Sequence, residues 1–214
     1  MTYTVKEIYY TLQGEGAQTG RPAVFLRFAG CNLWSGRELH RAEATCRFCD
    51  TQFVGTDGPG GGKFGSPDEL ARSVAATWPA DVQTSRPYVV CTGGEPLLQL
   101  DAVAIDALHA AGFEVGVETN GTIAVPPGVD WLCVSPKGRA RLQQRSGDEL
   151  KLVFPQQEAE AQPSQFEGLS FGHFFLQPLD DAGLESNTRA VIDFCLRNPR
   201  WKLSLQTHKL IGID

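Results

Sequence analysis

Apolar, β-branched runs alternate along the chain with segments that carry helix signals. The runs have the composition of buried strands and lie at residues 23–28, 88–91, 113–118, 131–134, 150–154 and 174–176. Helices are predicted after the capping box Ser66-Pro67-Asp68-Glu69, over residues 102–111 after Asp101, and from Asn187-Thr188 to a point before Pro199. This order predicts an α/β fold with parallel strands and about six βα units.

The predicted sheet also indicates where a ligand would bind. In parallel sheets and βα barrels, ligands lie at the C-terminal ends of the strands. Polar and glycine-rich segments follow five of the predicted strands: Cys31, Thr92-Gly93-Gly94-Glu95-Pro96, Glu118-Thr119-Asn120-Gly121, Ser135-Pro136-Lys137 and Gln177-Pro178. We therefore expect one domain over residues 1–214, either a partial βα barrel or a doubly wound sheet, with its site at this rim.

Three connecting segments have their own interpretations. Residues 55–65 are glycine-rich but lack the phosphate-loop pattern, because Asp57 and Phe64 replace its first Gly and its final Ser or Thr. We interpret this segment as a mobile loop and a candidate lid. Residues 156–165 are interpreted as a solvated connection or short helix, and residues 36–43 as an exposed helical insertion.

Composition and charge narrow the function classes. The 214 residues are 42% hydrophobic and 21% charged, with a net charge of −6. An acidic chain has no general attraction to nucleic acid or to anionic membranes. No apolar run approaches the roughly 20 residues of a membrane span, and the N-terminus lacks the features of a signal peptide. We expect a cytoplasmic protein that binds neither nucleic acid nor membrane.

The six cysteines fall into two groups. In a reducing compartment they favour free thiols over disulfides. Three lie in apolar segments, where a thiol packs as a small hydrophobic group: Cys91, Cys133 and Cys195. The other three lie among polar residues, where a thiol adds nothing to a core: Cys31, Cys46 and Cys49. The second group is the candidate for chemistry.

The spacing of the second group indicates a metal centre. Cys46 and Cys49 form a Cys-x2-Cys pair, and 14 residues separate Cys31 from Cys46. A structural zinc site normally has four ligands, and His40, the nearby fourth candidate, lies in a polar run typical of an exposed helix. Three thiolates without a fourth protein ligand are typical of a 4Fe–4S cluster with one open iron.

Together with Thr92-Gly93-Gly94-Glu95-Pro96, these cysteines make the chain resemble the radical S-adenosylmethionine (SAM) enzymes. The usual Cys-x3-Cys-x2-Cys spacing of that family is expanded here to Cys-x14-Cys-x2-Cys. The resemblance is to the branch that makes 7-deazapurines, and it extends over further segments: Leu12-Gln13-Gly14-Glu15-Gly16, Arg27 to Leu33, Cys49-Asp50-Thr51, Glu118 to Thr122, Ser135-Pro136-Lys137 and Gln206-Thr207-His208-Lys209.

The resemblance implies a fold and a reaction. The fold would be the partial or modified βα barrel of the radical SAM type. The reaction would convert 6-carboxy-5,6,7,8-tetrahydropterin into 7-carboxy-7-deazaguanine and ammonia by radical ring contraction, for queuosine or another 7-deazapurine, with SAM used catalytically. The implied cofactors are a 4Fe–4S cluster, SAM and Mg²⁺. The implied partners are a pterin substrate, a reducing donor such as flavodoxin and a second copy of the chain.

The resemblance also implies a set of site residues. Those expected to hold metals are Cys31, Cys46 and Cys49 for the cluster and Thr51 for Mg²⁺. Those expected to contact SAM are Phe48, Cys49, Asp50, Gly94, Glu95, Ser135, Pro136, Lys137 and Gln177. Those expected to contact substrate are Leu12, Gln13, Gly14, Glu15, Arg27 and Thr92. The fork of Arg27 suits a carboxylate, and Gln13 and Glu15 suit the donors and acceptors of a pterin edge.

Two other functions stay open at this point. One is a radical SAM activating enzyme that acts on a different substrate, and the other is a metal-stabilised binding module without catalysis. The 14-residue expansion after Cys31 has no assigned role. The tail Ile211-Gly212-Ile213-Asp214 is interpreted as docking on the body, with its carboxylate near the substrate.

Overall fold

The computed structural model describes residues 2–84 and 86–213. Its strands are β1 (Tyr3–Leu12), β2 (Pro22–Phe28), β3 (Gly62–Phe64), β4 (Tyr88–Gly93), β5 (Glu114–Thr119), β6 (Trp131–Val134), β7 (Ser146–Phe154), β8 (Ser170–Pro178) and β9 (Trp201–Leu203). Its α-helices are α1 (Pro67–Thr77), α2 (Ala102–Ala110), α3 (Leu184–Arg197) and α4 (Thr207–Ile211). Short 3₁₀ helices lie at Gly16–Gln18, Glu38–Glu43, Pro96–Leu98, Ala159–Ala161 and Pro163–Gln165.

The strands form one nine-stranded sheet in the order β3-β1-β2-β4-β5-β6-β7-β8-β9. From β2 to β9 every neighbouring pair is parallel. At the other end β1 runs antiparallel to both β2 and β3. The outermost strands, β3 and β9, do not pair with each other, so the sheet stays open. The predicted α/β partial barrel is confirmed, whereas the single-domain boundary 1–214 stays a prediction.

Local sequence signals place the helices. The Ser66 hydroxyl accepts a hydrogen bond from the Glu69 backbone N–H at 3.2 Å, and Asp101 Oδ1 accepts one from the Ala104 N–H at 2.9 Å. α3 begins earlier than the predicted Asn187-Thr188, at Leu184. Asn187 is inside the helix because its side-chain amide donates to the Leu179 carbonyl at 2.9 Å instead of capping the helix.

The hydrophobic core lies between the helices and one face of the sheet. Strand side chains alternate between the two faces, which β7 shows most clearly. Leu150 and Leu152 are fully buried in that core, whereas Glu149 and Lys151 point to the opposite face. This alternation places charged side chains on the inner face of the partial barrel, where they are also buried.

Several elements were not predicted from the sequence: β1, β3, β9 and α4. The lid interpretation of residues 55–65 is wrong. The Gly58 N–H donates to the Lys6 carbonyl at 3.1 Å, the Ile8 N–H donates to the Pro59 carbonyl at 2.7 Å, and residues 62–64 form β3. This segment is therefore bonded along the edge of β1, and none of its residues lines the cavity described below.

Other expectations about connecting segments are confirmed. The insertion contains the 3₁₀ helix Glu38–Glu43, which has no buried residue, and residues 156–165 contain two short 3₁₀ helices. Cys91 and Cys133 are buried and Cys195 is partly buried. Ile211 and Ile213 are exposed, so this part of the tail does not dock, and Asp214 lies outside the described residues. No helix within the described residues is long and apolar enough to cross a bilayer.

Candidate active site

A cavity of about 340 Å³ lies at the C-terminal ends of the parallel strands. Five consecutive parallel strands and the segments after them contribute side chains to it: Arg27, Thr92, Glu118, Ser135 and Lys151. Among the residues expected to form the site, all but Glu95 and Pro136 line this cavity. The structure therefore brings together segments that are far apart in the sequence.

One side of the cavity, which we call the cysteine wall, carries Cys31, Cys46 and Cys49 as free thiols. The Leu33 backbone N–H donates to Cys31 Sγ at 3.4 Å, and burial raises the pKa of Cys31. A hydrogen bond between the other two thiols lowers the pKa of Cys49 to about 6 and, with burial, raises that of Cys46. Cys49 is thus the thiol most readily ionised at neutral pH.

The turn after β4 packs directly against the first cysteine. A Cβ on Gly94 would lie 2.2 Å from the Gly30 carbonyl oxygen and 2.7 Å from Cys31 Cβ, so a larger residue there would displace the loop. The Glu95 backbone N–H donates to the same Gly30 carbonyl at 3.0 Å. Because Gly94 has no side chain, the turn after β4 can lie close to the segment Gly30-Cys31 that follows β2.

Glu95 and Pro136 are buried behind the cavity and do not line it. One Glu95 oxygen accepts hydrogen bonds from the Leu97 N–H at 3.0 Å and the Thr119 hydroxyl at 2.7 Å. The other oxygen accepts from the Asn120 N–H at 2.8 Å. Burial raises the pKa of Glu95 despite these bonds. In this structure the Glu95 side chain joins the turn after β4 to the end of β5, and its contact with SAM stays a prediction.

A second part of the cavity lining, which we call the charged wall, centres on Lys151. Its ammonium lies 2.5 Å from a Glu15 oxygen and 3.5 Å from a Glu118 oxygen, and its side chain is 6% exposed. Burial alone would lower the pKa of Lys151, but Glu118 and Glu15 hold it well above its usual value. Burial would likewise raise the pKa of Glu15, but Lys151 and Gln206 keep it below its usual value.

Amide and hydroxyl groups complete the charged wall. Gln177 and Gln206 donate to Glu15 Oε1 at 3.1 and 3.0 Å. The Gln13 amide and the Thr92 hydroxyl donate to the two oxygens of Glu118 at 3.0 and 3.3 Å. Both carboxylates are therefore fixed by donors from several strands and from the segment after β9.

Arg27 lies on the cavity wall with its charge partly compensated. Its Nε donates to Glu7 at 2.7 Å and one terminal nitrogen donates to the Tyr9 hydroxyl at 2.8 Å. The guanidinium is thereby held in one orientation. The sequence did not assign roles to Glu7 and Tyr9, which lie on the unpredicted β1.

The mouth of the cavity is bounded by α4 and the loop after Cys49. Lys209 pairs with Asp50 at 2.6 Å and Asp180 at 2.5 Å. Burial opposes ionisation of Asp50, but hydrogen bonds from Lys209 and Gln206 lower its pKa. The Thr207 N–H donates to the Gly14 carbonyl at 3.0 Å, which ties α4 to the segment after β1.

The remaining expected SAM and Mg²⁺ contacts also lie in the cavity. The ammonium of Lys137 donates to the Ser135 hydroxyl at 2.6 Å and lies 5.7 Å from the centre of the Phe48 ring. Thr51 follows the last cysteine, and its carbonyl lies 3.9 Å from Cys49 Sγ. Leu12 contributes an apolar surface that is 36% exposed.

Several cavity residues were missed by sequence reasoning: Tyr9, Glu118 as a contact, Lys151, Asp180, Gln206, His208 and Lys209. Lys151 did carry a signal, because it alternates with Leu150 and Leu152 in a strand. Such a charge must face the inside of the barrel or solvent. His173 on β8 stacks on Trp131 with ring centroids 6.1 Å apart and does not line the cavity.

The donor set of the cysteine wall fits a cluster better than a zinc ion. His40 faces Ser35, with Nδ1 2.8 Å from the hydroxyl. Within residues 2–84 and 86–213, no three His, Cys, Asp or Glu side chains converge on one point suited to a single ion. A structural zinc site normally has four protein ligands, whereas three thiolates would leave one iron of a cluster open.

Comparison with known proteins identifies the family. No family model matches the chain. The 7-carboxy-7-deazaguanine synthase of Bradyrhizobium diazoefficiens is 62% identical over 213 residues, covering 100% of both chains. The enzyme of that name from Bordetella pertussis is 60% identical over 216 residues, again covering 100% of both chains. The chain belongs to the 7-carboxy-7-deazaguanine synthase family.

A solved structure gives the same result. The crystal structure of QueE from Escherichia coli matches with a TM-score of 0.73 and 28% identity, covering 97% of this chain and 95% of that one. Family membership confirms the resemblance to radical SAM lyases of queuosine biosynthesis, and it implies radical SAM cofactors and a small-molecule substrate. An activating enzyme and a non-catalytic module are the interpretations it disfavours.

Proposed function

We propose that the chain converts 6-carboxy-5,6,7,8-tetrahydropterin into 7-carboxy-7-deazaguanine and ammonia by radical ring contraction, with SAM used catalytically. The observation that carries this proposal is a single cavity lined both by free thiols and by a buried ammonium paired with two partly buried carboxylates. Membership of the 7-carboxy-7-deazaguanine synthase family supports the same reaction.

The cysteine wall would hold the cluster through Cys31, Cys46 and Cys49, leaving one iron open for the amino and carboxylate groups of SAM. When bound, the cluster and SAM supply the carbon-centred radical that starts the reaction. The hydrogen bond between Cys46 and Cys49 lowers the pKa of Cys49 and raises that of Cys46, so cluster binding would release the proton that the pair shares.

Residues around the cysteine wall would bind the rest of SAM. Gly94 brings backbone close to Cys31. Glu95 and Pro136, which are buried at the turns after β4 and β6, would complete the SAM contacts on this side. The Phe48 ring offers a face for adenine, and Asp50 stays ionised beside Lys209 to accept from ribose hydroxyls. The other polar contacts would come from Ser135, Lys137 and Gln177.

The charged wall would bind the pterin. Glu15 and Glu118 stay ionised beside Lys151 and accept hydrogen bonds from amino and ring N–H groups. Arg27 provides positive charge for the carboxylate, and Thr51 offers a hydroxyl to Mg²⁺, a cation that prefers oxygen. Leu12, Gln13, Gly14 and Thr92 would complete the contacts. A fixed charge network needs no rearrangement when the substrate arrives.

The proposal also covers the oligomeric state, the cellular location and the electron donor of the enzyme. We propose a homodimer in the cytoplasm that receives electrons from a reduced donor such as flavodoxin. Gel filtration with light scattering tests the dimer, and reduction of the cluster by flavodoxin tests the donor.

An anaerobic assay tests the reaction. The reconstituted protein is mixed with dithionite, SAM, Mg²⁺ and 6-carboxy-5,6,7,8-tetrahydropterin, and the products are identified by mass spectrometry. We expect 7-carboxy-7-deazaguanine without matching accumulation of 5′-deoxyadenosine. SAM cleavage with an unchanged pterin would contradict the substrate and keep the radical chemistry, and a protein that assembles no iron–sulfur cluster would contradict both.

A further inference from the structure

The insertion between Cys31 and Cys46 is tied to the cysteine wall through Arg41. The guanidinium of Arg41 donates to the carbonyl oxygens of Arg47 and Cys49 at 2.7 and 3.0 Å. It also lies 4.1 Å above the centre of the Trp34 ring. The insertion therefore reaches back to contact both the Cys-x2-Cys turn and an aromatic residue that follows Cys31.

Trp34 is held rigidly in this loop. Its side chain is 7% exposed, and the Phe53 ring packs edge-on against it with centroids 5.7 Å apart. It lines the same cavity as the three cysteines. With Arg41 on one face and Phe53 at an angle of 85°, the indole has little freedom to rotate.

The indole nitrogen of Trp34 has no acceptor. Among the side-chain nitrogens and oxygens that residues 2–84 and 86–213 bury completely, two lack a hydrogen-bond partner: Trp34 Nε1 and Trp131 Nε1. Buried indole N–H groups usually have one. Trp131 lies on β6, stacks on His173 and does not line the cavity, whereas Trp34 is placed among prospective cluster ligands.

We propose that the indole N–H of Trp34 donates a hydrogen bond to a sulfur of the iron–sulfur cluster, and that Arg41 positions the ring for this contact. Sulfide and thiolate sulfurs carry partial negative charge and accept N–H donors. A donor to sulfur stabilises the reduced cluster, which is one charge more negative, and so raises its reduction potential. The inference rests on the proposed function, because it needs the cluster.

The first test measures the reduction potential of the cluster. Trp34→Phe keeps an aromatic ring and removes the donor, and Trp131→Phe removes the other unpartnered indole N–H as a matched control. Redox titration followed by EPR should show a more negative potential for Trp34→Phe and the wild-type value for Trp131→Phe. Equal potentials in all three proteins would overturn the inference.

The second test leaves Trp34 in place, so its main result does not depend on how a Trp34 variant folds. Tryptophan labelled with ¹⁵N at the indole nitrogen is incorporated, and the reduced cluster is examined by pulsed EPR. We expect a ¹⁵N coupling that persists in Trp131→Phe and weakens in Arg41→Gln, in which the ring loses its cation. A reduced cluster without this coupling would overturn the inference alone, whereas failure to form any cluster would overturn the proposed function.

Discussion

The two walls of the cavity are built on different principles. The charged wall is complete when the chain folds, since Glu15, Lys151 and Glu118 satisfy one another and are fixed by amide donors. The cysteine wall is a loop whose position depends on Gly94 and Arg41. Among the residues that the structure describes, its thiols bond only to each other and to nearby backbone groups. The contrast indicates that one wall is preorganised for the substrate and the other is completed by a cofactor.

The largest effect is expected from a substitution that removes one thiol of the cysteine wall. Cys46→Ser should prevent stable cluster assembly and reduce product formation to the assay background, because cluster irons need thiolate ligands. Iron content and the visible absorption of the reconstituted protein check this. Cys195→Ala is the matched control, since Cys195 lies on α3 away from the cavity. A Cys46→Ser variant with full iron content would show that Cys46 is not needed to bind the cluster, and it would contradict the role given to the cysteine wall.

The second-largest effect is expected when the charged wall loses the Lys151 ammonium. Lys151→Met leaves the partly buried carboxylates of Glu15 and Glu118 without their buried cation. Loss of one partner of a buried ion pair typically costs about 3–5 kcal/mol of unfolding free energy. The variant should also bind the pterin weakly. Urea denaturation of the apoprotein measures the first effect. The exposed Lys202→Met serves as control and should change stability by about 0.5 kcal/mol or less. Equal losses in both variants would contradict a coupled network.

The pH dependence of unfolding stability tests the pairing of Glu15 with Lys151 separately. The pKa of Glu15 is lowered from 4.5, so its contribution is present above that value and is lost as the pH falls further. The pKa of Lys151 is raised above 10.5, so its contribution is present below that value and is lost as the pH rises. The stability difference between wild type and Lys151→Met should therefore form a plateau between these limits. A difference that grows on acidification below pH 4.5 would contradict the pairing.

A smaller effect is expected at Thr51, which follows Cys49 by two residues and lines the cavity. Thr51→Ala should raise the Mg²⁺ concentration needed for half-maximal activity on the order of tenfold, equivalent to about 1.4 kcal/mol, without loss of cluster iron. Thr51→Ser keeps the hydroxyl and should behave like wild type. Mg²⁺ titrations of product formation separate the variants. Identical titrations for alanine and serine would show that the hydroxyl does not bind the ion.

The smallest effect is expected at the mouth, where the ion pairs face solvent. The side chains of Lys209 and Asp50 are 40% and 44% exposed, so Lys209→Met should cost less than about 1 kcal/mol of unfolding free energy. The cost should fall at high salt. A loss as large as that of Lys151→Met would mean that the mouth belongs to the buried network.

The same contrast explains what the sequence could predict. The cysteine wall was predictable because its residues lie in short motifs, and the central strands because they are continuous apolar runs. β1 was missed because Lys6 and Glu7 interrupt its apolar pattern at a register shift between Val5 and Glu7. The roles of Glu118 and Lys151 were missed because the partners of Lys151 lie 33 and 136 residues away in sequence. Such pairs are created by the packing of strands and leave no local pattern.

The account depends most on a cysteine wall that binds a cluster through three thiolates and leaves one iron for SAM. The Mössbauer spectrum of protein reconstituted with ⁵⁷Fe, recorded with and without SAM, tests this directly. We expect a 4Fe–4S cluster in which the signal of a single iron shifts when SAM is added. A spectrum that SAM leaves unchanged, or one from a fully ligated cluster with four equivalent irons, would contradict it.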